Sequence, residues 1–217
     1  MSFFGQQKSQ DPKPILGRIA ELRQQLSSKE PAALAAQSGA RLEQNASQET
    51  RVVFHLFGEE LLLCQPENEI LSRSGKPPTE LHQLLALYYF AWADGTPISG
   101  RWISFAELPD GRFYNPAFQG YTGAEITRAF GADLPALERA ANRLEGTAQP
   151  LGDRAYAFEA LPRLPILLIY WTGDEDFPPA CQLLFDASAP HYLPTDGCAI
   201  LGNLLTRRLL KAARDSS

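Results

Sequence analysis

Cysteine is scarce in this chain of 217 residues: Cys64, Cys181 and Cys198 are an odd number, with no CxxC spacing. That pattern fits reduced thiols in a cytoplasmic protein better than a disulfide framework. Runs long enough to span a bilayer are also missing, and the strand-like run Ile166 to Trp171 is far too short to do so. The opening MSFFGQQKSQDPKP holds no hydrophobic signal core, so a cytoplasmic, soluble protein is expected. Excess positive charge is absent. The net charge of −5 is the wrong sign for the basic footprint of a nucleic-acid binder or for attraction to anionic lipid, so neither nucleic acid nor membrane is expected as a partner. Only three histidines occur, with no HExxH, no dinucleotide fingerprint and no phosphate-cradling glycine loop. Ser188 and His191 lie too close in sequence, outside any nucleophile-elbow context, to argue for hydrolysis.

What is present is ordinary globular material, 44% apolar and 21% charged, long enough to bury a real core. Residues 1–14 are polar and proline-containing. Ile15, Ile19, Leu22 and Leu26 then form a helical stripe, and an alanine-rich helical stretch from Pro31 fades near Asn45. Alanine buries little, so this pair is expected to pack lightly. Residues 1–48 are taken as a tail and helical arm, either for docking or, preferably, as decoration on the same domain; residues 49–217 are taken as a single α+β domain.

RVVFHLF and ELLLCQ flank Gly58-Glu59, which predicts a hairpin with a type II′ turn, Phe57 opposite Glu60, His55 opposite Leu62 and Val53 opposite Cys64. One face (Val52, Phe54, Leu56, Leu61, Leu63) should be core. The other places His55 within diagonal reach of Cys64 and is apolar enough to need a cover. Thr79 caps a helix over TELHQLLALYYFAWADG that is apolar almost all round, hence central and buried. Residues 96–121 lack periodicity and are rich in aromatics, as a long functional loop would be. Short helices follow near Ala124–Phe130 and after Asp133. Strands are expected at 154–158, 166–171 and 180–186, then a C-terminal helix from Thr195 and Asp196. The expected fold is α+β: an antiparallel sheet of about five or six strands packed with helices, preceded by the helical arm.

The stretch WTGDEDFPPACQLLFDASAPHYLPT, with Trp171, Gly173, Asp174, Glu175, Phe177, Pro178, Leu184, Phe185, Asp186, Tyr192 and Leu193, resembles the C-terminal signature of an uncharacterised bacterial and archaeal family. That family is catalogued as domain of unknown function 3786. GRWISFAELPDGRFYNPAF extends the resemblance through Gly100, Trp102, Phe105, Leu108, Tyr114 and Phe118. Together they cover roughly residues 50–210. Some members carry a cysteine-rich N-terminal segment for an iron–sulfur cluster, and many occur alongside corrinoid one-carbon chemistry. Residues 1–50 here contain no cysteine, so no cluster is expected. The link to corrinoid or redox metabolism is an analogy drawn from the resemblance.

The function expected is a non-catalytic small-molecule or cofactor-binding accessory protein, more plausibly not an enzyme. Trp102, Phe105, Arg112, Tyr114 and Trp171 would stack on the ligand beside Asp174, Glu175 and Asp186 of the acidic hairpin. The competing reading of the rings is a small core beneath a long loop. The carboxylates would hold Mg²⁺ or Ca²⁺ in a metal-dependent enzyme, but no metal is assigned. A latch is preferred, with Glu175 or Asp186 accepting hydrogen bonds from Arg101, Arg112 or backbone amides. His55, Cys64 and His82 are weak candidates for cofactor ligands. A protein–protein adaptor acting through the N-terminal helices is the remaining alternative.

Overall fold

A computed structural model describes residues 13–44 and 50–215; the polar tail expected over 1–14 lies almost wholly outside them. The N-terminal helices are α1 (Lys13–Leu26) and α2 (Pro31–Ser38), the latter ended by Gly39 in the left-handed region. β1 (Arg41–Gln44), β2 (Thr50–Leu56), β3 (Glu59–Cys64) and β4 (Glu69–Ser72) form a four-stranded antiparallel meander. The alanine-rich helix therefore stops earlier than expected, and residues 41–44 are strand.

After α3 (Glu80–Trp92) comes β5 (Trp102–Ser104), a 3-10 turn at Phe105–Glu107, then α4 (Gly111–Tyr121), α5 (Gly123–Phe130) and α6 (Leu134–Arg143). β6 (Thr147–Gln149), β7 (Arg154–Leu161), β8 (Leu164–Trp171) and β9 (Ala180–Asp186) lead through a 3-10 turn at Ala189–His191 to α7 (Thr195–Arg214). The second sheet is five-stranded and antiparallel, ordered β5-β9-β8-β7-β6. The α+β class holds, with the strands divided between two sheets instead of gathered in one. β8 is the central strand of its sheet, as its apolar character on both faces requires.

One continuous core joins these parts. It takes Phe54 and Leu61 from the first sheet, Phe158, Leu168 and Phe185 from the second, and buried residues from every helix. α1 and α2 belong to it through Leu22, Leu26 and Leu34, so they do not pack lightly. Charged residues on α1 also reach α3: the Arg18 guanidinium lies over the Tyr88 ring, 5.4 Å from its centroid. α3 is the central helix expected from its composition. Its Tyr89 hydroxyl donates to the Ser38 carbonyl at 2.5 Å and accepts from the Arg163 amide at 3.0 Å, tying α2 to the β7–β8 turn.

The first hairpin turns at Phe57-Gly58, not at Gly58-Glu59. Both residues have positive φ (49° and 76°), the type I′ arrangement, whose twist matches the strands. The register moves with it: His55 faces Glu60, Val53 faces Leu62 and Arg51 faces Cys64. A phenylalanine in the left-handed region needs support. It receives it from Arg208, which donates to the Phe57 carbonyl at 3.1 Å and lies over the ring, while the Phe57 amide donates to Ala160 of β7 at 2.9 Å. On the outer face Val53 and Leu62 are buried beside an ionic lattice in which Arg41 meets Glu60 at 2.6 Å and Arg73 meets Glu43 at 2.5 Å. That lattice supplies the cover this face was expected to need.

The segment expected as a long loop contains β5 and α4. Gly111, Pro116 and Gly120 are poor helix formers, so no helical signal precedes the fold. Tertiary contact decides it: a Cβ at Gly111 would stand 2.0 Å from the Phe105 carbonyl oxygen, so only glycine lets α4 start against the 3-10 turn. Gly123 plays the same part for α5, with a Cβ 2.3 Å from the Cys181 carbonyl oxygen of β9.

Candidate functional site

The acidic hairpin loop is closed on itself. Asp174 Oδ1 accepts from the amides of Asp176 at 2.9 Å and Phe177 at 2.8 Å. The base of the loop is tied to the segment before β7, where Thr172 donates through its amide and hydroxyl to Asp153 Oδ2 at 2.8 and 2.7 Å. Among the described residues no group of three His, Cys, Asp or Glu side chains comes together as a metal site. Glu175 is exposed and is not the latch.

Asp186 is the latch. It is fully buried and takes five hydrogen bonds: Ser99 amide 2.9 Å, Ser99 hydroxyl 2.9 Å, Gly100 amide 2.8 Å, Ser188 amide 2.9 Å and Ser188 hydroxyl 2.6 Å. Burial pushes its pKa up, but the hydrogen bonds from Ser188 and Ser99 outweigh this and hold it below the usual aspartate value. Asp186 thus pins the strand of residues entering β5, by backbone amides and hydroxyls instead of arginine. His191 Nδ1 sits 2.7 Å from Asp94 Oδ2, and Ser188 serves Asp186, so these two do not form a nucleophile–base pair.

The aromatic candidates separate. Phe105 is buried and stacked on Phe118 with centroids 4.1 Å apart, which makes it core. Trp102 and Trp171 pack on the opposite face of the five-stranded sheet, against a small cluster of Ala155, Leu167 and Ile169. Arg112 and Tyr114 ride on α4, both exposed. The expected single site does not assemble, because alternation along β5 and β8 sends the tryptophans away from the core that holds Phe105. His55 is exposed opposite Glu60, and Cys64, opposite Arg51, lies four positions back along the ladder, about 13 Å away at strand rise. Those two cannot share a ligand. His82 Nδ1 is 2.7 Å from the Thr79 hydroxyl at the cap of α3, while its Nε2 is buried without a hydrogen-bond partner, and desolvation, then the charge of Arg208, lowers its pKa.

Tyr114 instead joins a cleft that sequence reasoning missed. The end of α3 contributes Trp92, the turn before α4 contributes Leu108, Pro109 and Asp110, and α4 contributes Phe113 with Tyr114. Pro190, Leu193, Pro194, Thr195 and Asp196 close the far side, and the open volume is about 600 Å³. Local chemistry builds these walls. Asp110 takes a left-handed conformation (φ 57°) that turns the chain into α4. Thr195 at the start of α7 donates to the Pro109 carbonyl at 2.5 Å, joining the two walls. Trp92 is steadied by edge-on contact with Tyr88, centroids 5.5 Å apart. Phe113 remains 87% exposed and Tyr114 38% exposed, so both rings are available to a ligand.

The family model described as a domain of unknown function, DUF3786, matches residues 30–208. The chain belongs to that family. The match runs from the start of α2 to late in α7 and so includes every wall of the cleft. It reaches further toward the N-terminus than the resemblance seen over residues 50–210. Comparison with curated proteins and with solved structures found no match. No helix among the described residues is long and apolar enough to cross a membrane. Two signals for the cleft were visible beforehand, the Asp110-Gly111 turn pair and the Pro194-Thr195-Asp196 helix start, but only folding shows that they line the same cleft.

Proposed function

We propose that this protein is a non-catalytic binding protein for a small molecule, with its site in the cleft between α4 and the start of α7. The observation that carries the reading is the cleft of about 600 Å³ with Trp92, Tyr114 and the largely exposed Phe113 in its walls. That volume lies in the range of roughly 300–1,000 Å³ typical of ligand pockets, and exposed rings beside a concavity supply stacking area at little entropic cost. Binding is favoured over catalysis by the lining itself. The one aliphatic hydroxyl there, Thr195, is engaged with Pro109, the other being the phenol of Tyr114, and the thiols of Cys181 and Cys198 are buried elsewhere with their pKa values driven well up by desolvation. The adaptor alternative has less to stand on, since the apolar faces of α1 and α2 are used inside the core.

Trp92 is a natural reporter. The chain has three tryptophans, and a Trp102→Phe/Trp171→Phe variant leaves Trp92 alone in the cleft wall. Corrinoids, haem, flavins and small organic ions should be titrated against that variant, following its fluorescence and melting temperature. A ligand of the cleft gives saturable quenching and a higher melting temperature, both abolished by Phe113→Ala/Tyr114→Ala. Binding that survives this double substitution would place the site elsewhere.

A further inference from the structure

Resting on the cleft as the binding site, we infer that its ligand is a small organic cation, a guanidinium or alkylammonium group carried on an apolar body. Among the described residues that line the cleft, Asp110 and Asp196 carry the only charges, and both are negative. Asp110 is exposed and Asp196 half-buried, and they come from the α4 and α7 walls, beside the Thr195–Pro109 hydrogen bond that joins those walls. The same lining holds the rings of Trp92, Phe113 and Tyr114. Aromatic rings beside carboxylates are the combination that recognises a desolvated cation, since the ring faces are negative and the carboxylates supply the counter-charge.

An anion is the competing occupant, because the first turns of α4 and α7 both border the cleft and neither is capped by a side chain. Charge decides between them. Each helix end contributes about +0.5, whereas each aspartate contributes a full negative charge, so the lining keeps roughly one net negative charge. The field of Asp196 is felt inside the protein: after burial, it is the second cause that pushes the Tyr121 phenol up to about 12. A neutral ligand would leave both carboxylates uncompensated while covering them, which costs desolvation without return.

The test uses the full chain carrying Trp102→Phe/Trp171→Phe and three probes of similar shape: benzyltrimethylammonium, benzyl alcohol and phenylacetate. Saturable quenching of Trp92 by the ammonium probe alone is expected, weakening about tenfold or more in Asp110→Asn/Asp196→Asn and weakening with added salt. Melting temperature confirms that this variant is folded, and Phe113→Ala, a change at an exposed ring, should independently weaken the cation several-fold, as loss of one ring face predicts. Equal or tighter binding of phenylacetate or benzyl alcohol overturns the charge assignment and leaves the cleft reading standing. Undiminished cation binding in the double asparagine variant also overturns it. If none of the three probes quenches Trp92, the cleft reading falls and the inference with it.

Discussion

Replacing Asp186 by alanine should destabilise the fold by about 3 kcal/mol or more. Of its five donors, two are the hydroxyls of Ser99 and Ser188, which can rotate toward other acceptors. The other three are the backbone amides of Ser99, Gly100 and Ser188, fixed in direction around a fully buried oxygen pair. Each buried amide left unmade costs about 1–3 kcal/mol, hence the lower figure. For a chain of this size that corresponds to a fall in melting temperature of roughly 6–12 °C. Asparagine is a finer probe. Its oxygen can replace Oδ1, which accepts four of the bonds, but its NH₂ then confronts the Gly100 amide in place of Oδ2. The pH dependence follows in sign. The folded pKa of Asp186 lies below its usual value, so its contribution is fully present above the unfolded pKa, about 3.9, and is lost as pH falls through the folded value. Urea unfolding of parent and Asp186→Asn, followed by tryptophan fluorescence from about pH 7 down to pH 3, should show a stability gap that is widest at neutral pH and narrows below about pH 4. A gap constant across that range, or an alanine variant within roughly 0.5 kcal/mol of the parent, would refute the latch.

Three further outcomes can be checked. Gly111→Ala should cost about 2 kcal/mol or more in urea unfolding, because the new methyl would meet the Phe105 carbonyl at 2.0 Å, and it should also abolish ligand-dependent quenching of Trp92 by displacing α4. Arg208→Ala should cost about 1–2 kcal/mol, since it removes the donor to the Phe57 carbonyl and the cation over that ring from a residue held at positive φ; an unchanged urea midpoint would count against Arg208 as the support of the turn. In native protein near neutral pH a thiol reagent should label at most Cys64, which is half-buried, whereas Cys181 and Cys198 are buried with their thiols held protonated; mass spectrometry of the labelled peptides reads this, and all three should react in urea.

Much of the architecture was legible because periodicity reports burial directly. α3 and β8 are apolar around most of their surface and are the buried centre of the helical layer and of the second sheet. Asp133 caps α6 by accepting from the Ala136 amide at 2.9 Å, as its position before an amphipathic run foretold. The hairpin turn was displaced by one residue because local preference favours a glycine-first turn, whereas Arg208, 151 positions away and unreadable as a neighbour, stabilises Phe57 in the left-handed region. The candidate site was read too broadly for a related reason. Aromatic residues clustered in sequence from Trp102 to Tyr121 divide among core, outer sheet face and cleft according to strand alternation and the start of α4.

By itself the sequence determined the α+β class, the buried helix, the central strand and the family to which residues 30–208 belong, since each depends on composition and spacing within a short window or along one collinear match. Only the tertiary structure decided that the strands form two sheets, that α1 and α2 are core, that Asp186 is the latch, and that Asp110 and Asp196 line one cleft. Those depend on approaches between residues dozens of positions apart, made possible by a glycine without a Cβ or a buried carboxylate with five donors, and no local pattern encodes which distant partner arrives.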